Sequence, residues 1–113
     1  MDMPKPLPDE LIELIAQRFR VIGEPMRIKM LDAMHDGELT VGELVELTGS
    51  TQQNVSKHLS VLHGAGIVTR RKEGNFVKYS IGDDTIFALC ELVCGGLRDQ
   101  AAGVEELLAG GRS

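Results

Sequence analysis

Between Thr40 and Gly66 the chain has room for two short helices joined by a tight turn, and each helix carries its own start signal. Thr40-Val41-Gly42-Glu43 fits a capping box: the Thr40 hydroxyl accepts from the backbone N–H of Glu43, and the Glu43 carboxylate reaches back to the N–H of Thr40. Leu44, Val45 and Leu47 are the apolar residues of this first short helix, and Thr48-Gly49-Ser50 breaks it. Thr51 caps a second helix with Val55, Leu59 and Leu62 inward, which ends at Gly64-Ala65-Gly66. Such a pair is a helix-turn-helix or, read more plainly, an αα-hairpin in a helical domain.

The next segment argues against the plain hairpin. Ile67 to Lys72 and Phe76 to Ile81 are strand-like, with β-branched and aromatic residues, and Gly74-Asn75 between them suits a two-residue turn that needs positive φ. A helix-turn-helix followed at once by a basic hairpin is a winged helix. Upstream, Leu11, Ile12, Leu14, Ile15, Phe19 and Ile22 give one broad apolar face to a helix starting at Pro8 or Asp9 and ending at Gly23. Pro25 opens another helix, with Met26, Ile28, Met30, Leu31 and Met34, that stops at Gly37. Downstream, Asp83 or Asp84 caps a last helix with a stripe at Ile86, Leu89, Cys90, Val93 and Leu97. That stripe continues less strongly through Ala101, Val104 and Leu108, and Gly95-Gly96 interrupts it, either as a close helix approach at a dimer seam or as a break. The expected fold is mainly α with a small β-hairpin: four helices, two strands and a fifth helix. It forms a single winged-helix domain over 1–113 with short flexible ends at 1–7 and 109–113.

A chain of 113 residues is one domain's worth of sequence. Its small core gains from burial shared with a second copy. The start, with Pro4, Pro6 and Pro8, has no signal-peptide character, and no apolar run is long enough to span a membrane, so a cytoplasmic protein is expected. Two cysteines in a reducing compartment read as free thiols. The net charge of −5 argues against a nucleic-acid partner until its distribution is seen. Residues 51–80 carry Lys57, Arg70, Arg71, Lys72 and Lys78 against Glu73 alone, while both flanking segments are acidic. Positive charge focused in this way is an electrostatic footprint for phosphate.

In a helix-turn-helix the N-terminal part of the second helix enters the major groove of double-stranded DNA. Here that part offers Thr51, Gln52, Gln53, Asn54, Ser56 and Lys57. Gln and Asn pair bidentately with adenine, Ser and Thr reach bases or phosphates, and Lys57 adds charge. The bland alternative is an ordinary polar helix face. Arg70, Arg71, Lys72, Asn75 and Lys78 form the wing, as phosphate or minor-groove contacts or as a charged edge that resists aggregation. Alternation prevents all of them from facing the duplex: Arg70 and Lys72 share one face and Arg71 takes the other. A dimer of such units reads two half-sites about one helical turn apart, ~34 Å.

With these elements in order, the chain resembles the ArsR/SmtB family of bacterial winged-helix regulators. The matching stretches are Phe19 to Ile28 (FRVIGEPMRI), Thr48 to Leu62 (TGSTQQNVSKHLSVL), Gly64 to Val68 (GAGIV) and Arg71 to Ile81 (RKEGNFVKYSI). The resemblance implies a homodimer joined through the first and last helices and repression of a nearby operon, relieved when an inducer binds. It also brings His58 among the DNA candidates, as a histidine like the one common in the family's recognition helix. His58 either bonds a phosphate or packs near the helix end, and His63 faces solvent.

Two metal-binding patterns of the family are missing. Thr40-Val41-Gly42 stands where one pattern has Cys-Val-Cys, and no histidine follows His63 to serve the other. Cys90 and Cys94 remain as effector-sensing candidates, four apart and neighbours on one helix. If that helix packs on its symmetry mate, four thiols converge, a donor set for a thiophilic metal ion such as zinc, copper(I) or trivalent arsenic, or for oxidation. The competing reading is packing, since free Cys behaves as a small hydrophobe. His35 with Asp32 and Asp36 is a weaker metal candidate. No cofactor is required for the fold. Three functions stay open: an inducible repressor, a winged-helix module that binds protein or regulates without an effector, and, with no Cys-x-x-Cys or base nearby to support it, a thiol enzyme.

Overall fold

The computed structural model describes residues 3–110. The side chain of Val104 and residues 1, 2 and 111–113 lie outside that description, and with them parts of the flexible ends expected at 1–7 and 109–113. The elements run α1 (Asp9–Ile22), α2 (Pro25–Ala33), β1 (Leu39–Thr40), α3 (Val41–Thr48), α4 (Gln52–Gly64), β2 (Val68–Glu73), β3 (Phe76–Ile81) and α5 (Thr85–Gly110). They divide into two compact units, one ending at Gly82 and one beginning at Asp83.

In the first unit the core is aliphatic and sulfur-rich. Met30, Leu31 and Met34 from the α2 region meet Leu44 of α3, Val55, Leu59 and Leu62 of α4, and Ile67 and Val68 at the start of the wing, all at most 2% exposed. The broad apolar face expected on α1 is only partly used. Ile22 is buried, whereas Ile12, Leu14 and Phe19 stay 47%, 63% and 56% exposed. Helix α2 stops at Ala33, a turn earlier than expected, and a turn through Met34 carries the chain to Gly37, whose N–H donates to the Met34 carbonyl at 3.3 Å.

The wing holds one strand more than the expected hairpin. The sheet order is β1-β3-β2, all antiparallel, so β3 is central. Strand β1 is two residues long, pairing Leu39 with Tyr79 and Thr40 with Lys78. It is too short to display a period-two pattern. The β2–β3 register runs from Val68↔Ile81 to Glu73↔Phe76 and leaves Gly74-Asn75 as the turn. Gly74 has φ +60°, while among the described residues no non-glycine has positive φ, so Asn75 does not, as a II′ turn requires.

The second unit is helix α5. The Asp83 carboxylate accepts from the N–H of Thr85 at 3.0 Å and starts it. Gly95-Gly96 does not interrupt it, and the helix is continuous over 26 residues. Each interior glycine costs only about 1 kcal/mol relative to alanine, too little to break so long a run. Leu92, Val93 and Leu97 are 75%, 53% and 61% exposed, and Leu107 and Leu108 are 79% and 60% exposed.

Candidate nucleic-acid interface

Helix α3 begins with the complete capping box. Glu43 N–H donates to Thr40 Oγ1 at 3.2 Å, and Thr40 N–H donates to Glu43 Oε1 at 2.9 Å. These bonds hold the Glu43 carboxyl below its ordinary pKa range. Gly49 ends the helix at φ +72°, a conformation that only glycine adopts cheaply. Lys29 of α2 donates to the freed carbonyl of Thr48 at 3.0 Å. Two residues later Thr51 Oγ1 accepts from Asn54 N–H at 3.1 Å and starts α4. The turn between the helices is thus set by local bonds at both ends.

On α4, Gln52, Gln53 and Lys57 are exposed, and Asn54 and Ser56 are half-buried. Two of the expected contacts already have partners in the free protein. The Thr51 oxygen is the helix cap, and the Asn54 side-chain amide donates to Ser50 Oγ at 2.8 Å. Ser60, absent from the sequence-based set, is exposed in the same row as Gln53 and Lys57. Continuing the helical period three residues past Lys57 would have found it.

Of the two alternatives for His58, phosphate contact or packing, the free protein shows packing. His58 is 6% exposed, with Nε2 3.8 Å from Glu24 Oε2 and Nδ1 without a hydrogen-bond partner among the described residues. Its place three residues after Val55 and one before Leu59 turns it toward the core side, away from Gln53 and Lys57. His63 is exposed, as expected.

The wing sorts its charges by face, because residues paired across an antiparallel ladder point the same way. The register puts Arg71 opposite Lys78 and Glu73 opposite Phe76 on one face, and Arg70 opposite Tyr79 and Lys72 opposite Val77 on the other. On the first face Arg71 grips Glu38 bidentately, with Nε to Oε2 at 3.0 Å and Nη2 to Oε1 at 2.7 Å. The same Nη2 donates to Glu73 Oε2 at 2.6 Å, and Lys78 Nζ lies 3.5 Å from that oxygen. Arg71 is the main reason that the Glu38 and Glu73 carboxyls sit below the ordinary range, and both carboxylates hold its guanidinium more firmly charged. Two cations and two anions cancel there. Arg70 and Lys72, like Lys57 on α4, are exposed and have no carboxylate partner among the described residues. Asn75 is exposed at the tip of the wing.

On α5, Cys90 is half-buried and Cys94 exposed, both as free thiols, and Arg98 Nη2 donates to Cys94 Sγ at 3.9 Å. Among the described residues no three His, Cys, Asp or Glu side chains gather as a metal site, which leaves His35, Asp32 and Asp36 unassembled as one. No described helix is long and apolar enough to cross a membrane.

Comparison with known proteins agrees with this geometry. A family model described as "Bacterial regulatory protein, arsR family" matches residues 24–70. The chain is similar to the probable mercury resistance operon repressor of Streptomyces lividans, with 38% identity over 90 residues, 80% of this chain and 72% of that one. It is 31% identical to the crystal structure of Rv0081 from Mycobacterium tuberculosis, with a TM-score of 0.77 and coverage of 84% and 96% of the two chains. A homodimeric winged helix-turn-helix DNA-binding domain from Mycobacterium bovis, Mb0332, superposes with a TM-score of 0.68 at 26% identity, covering 86% and 95% of the two chains.

Proposed function

Because the chain belongs to the arsR family of bacterial regulatory proteins, which are transcription regulators and not enzymes, we propose that it acts as a cytoplasmic homodimeric repressor that reads two half-sites of an operator and is released through thiols. Helix α4 lies in the major groove, where Gln52, Gln53, Asn54, Ser56 and Lys57 address bases and phosphates, and the wing lies along the adjoining backbone. One observation carries this: Lys57 on α4 and Arg70 and Lys72 on the wing are exposed and have no carboxylate partner among the described residues. The dimer is supported by the exposed Ile12 and Phe19 on one side of α1 and by the exposed Val93 and Leu97 of α5, apolar surface that a second copy can cover. The homodimeric Mb0332 domain supports it as well.

For the effector, Cys94 is exposed in the single chain with Arg98 Nη2 3.9 Å from its Sγ, and Cys90 lies one turn before it on the same helix. One copy supplies only two thiolates, short of the four donors of a closed tetrahedral site. Two copies meeting along α5 supply four, a soft donor set for a thiophilic ion. The relative named for mercury resistance makes mercury(II) a natural probe beside zinc, copper(I), arsenite and a mild oxidant.

Fluorescence anisotropy on DNA from upstream of the protein's own gene tests the reading. Reduced, metal-free protein should bind it specifically. One agent should abolish binding in the wild type and have no effect on the Cys90→Ser, Cys94→Ser double variant. Specific binding that every agent leaves unchanged removes the sensing role and returns both cysteines to packing.

A further inference from the structure

The residues that join the helix-turn-helix to the wing are three in a row. Glu38 grips Arg71 of β2 through two hydrogen bonds. Leu39 and Thr40 pair with Tyr79 and Lys78 of β3. Thr40 also caps α3, the first helix of the helix-turn-helix. A planar guanidinium held bidentately by a carboxylate is fixed in direction as well as distance. The link therefore sets how the wing stands relative to α3, and through the short turn at Gly49 relative to α4.

Arg71 has the strongest partners of any wing cation and is the worst placed to serve DNA. A phosphate taking the Nε–Nη2 edge of its guanidinium would have to displace Glu38, and one approaching Nη1 would bring its charge beside the Glu38 and Glu73 carboxylates. Arg70 and Lys72 stand on the opposite face, exposed and without a carboxylate among the described residues. Resting on the reading that this surface binds DNA, we propose that Glu38 is a positioning residue for the DNA interface, with Arg71 as the strut it holds, and that Arg70 and Lys72 alone make the wing's phosphate contacts. An acidic residue that supports DNA binding runs against simple electrostatics, in which removing a negative charge near the duplex tightens the complex. The two accounts thus differ in sign.

The test compares wild type with Arg70→Gln, Lys72→Gln, Arg71→Gln, Glu38→Gln and Glu38→Asp, measuring operator affinity across a salt series on protein verified as folded. Each neutralised phosphate contact contributes about 0.9 to the slope of log affinity against log salt. Arg70→Gln and Lys72→Gln should each flatten the slope by about 1.8 per dimer. Arg71→Gln and Glu38→Gln should keep the wild-type slope while binding about two- to fivefold more weakly per half-site at every salt concentration, the scale of one exposed ion pair. Glu38→Asp, which keeps the carboxylate, should recover part of that loss. A slope flattened by Arg71→Gln as much as by Arg70→Gln, or tighter binding by Glu38→Gln, overturns the proposal. Wild-type protein without salt-dependent binding would instead defeat the DNA-binding reading beneath it.

Discussion

Replacing Gln53 with alanine is expected to weaken operator binding by about 1–3 kcal/mol per half-site, and by roughly twice that for a dimer engaging both. Gln53 is exposed on the outward row of α4, shared with Lys57 and Ser60, and its side chain has no partner within the described protein. Its amide is therefore available to pair with a base edge. The loss should fall on specific DNA and leave affinity for unrelated DNA nearly unchanged, because phosphate contacts carry no sequence information. Competition anisotropy with specific and random duplexes reads both. Equal losses on the two duplexes would mean that Gln53 contacts only backbone.

The second large effect is on folding. Leu62 is fully buried in α4, at 0% exposure, within the cluster that fastens this helix to α2, α3 and the base of the wing. Leu62→Ala should cost about 2–5 kcal/mol, the transfer term plus the cavity left behind. That is a large share of the roughly 5–15 kcal/mol available to a natural domain. Val61, its neighbour in sequence, is 36% exposed and points outward, so Val61→Ala should stay within about 0.5 kcal/mol. Urea denaturation should show a lower midpoint with an unchanged slope for Leu62→Ala alone. A similar shift for both variants would contradict the orientation of α4.

Local chemistry was readable in the sequence, and distant pairing was not. The capping box at Thr40 and Glu43 and the Gly74-Asn75 turn involve residues two to three apart, so spacing alone reveals them. The same holds for the alternation that separates Arg70 and Lys72 from Arg71. Strand β1 has only two residues and owes its existence to β3, 38 residues on in the pairing Thr40↔Lys78. With β1 hidden, the Glu38–Arg71 pair, 33 residues apart in sequence, was hidden too. Composition alone therefore places Arg71 and Lys78 with Arg70 and Lys72, although in the free protein each has a carboxylate beside it. For His58 the family resemblance suggests a phosphate contact, while helical phase puts it beside Val55 and Leu59 on the buried side. Gly95-Gly96 reads locally as a break or a close helix approach, and the long continuous helix around it removes the break. On α1 and α5 the apolar stripes are legible, but half of the α1 stripe and the later part of the α5 stripe are exposed in the single chain, so the pattern points to burial that one copy does not supply.

The most direct test of the account is chemical protection of the DNA itself. Dimethyl sulfate methylates guanine N7, which lies in the major groove, where α4 is assigned. On DNA from upstream of the gene, bound protein should protect guanines in two patches whose centres lie about one helical turn, ~34 Å, apart on one face of the duplex. Lys57→Gln should weaken the protection, and Gln53→Ala should remove it at the same protein concentration. Full occupancy with every guanine N7 still reactive would contradict the account, because the recognition helix would then not lie in the major groove.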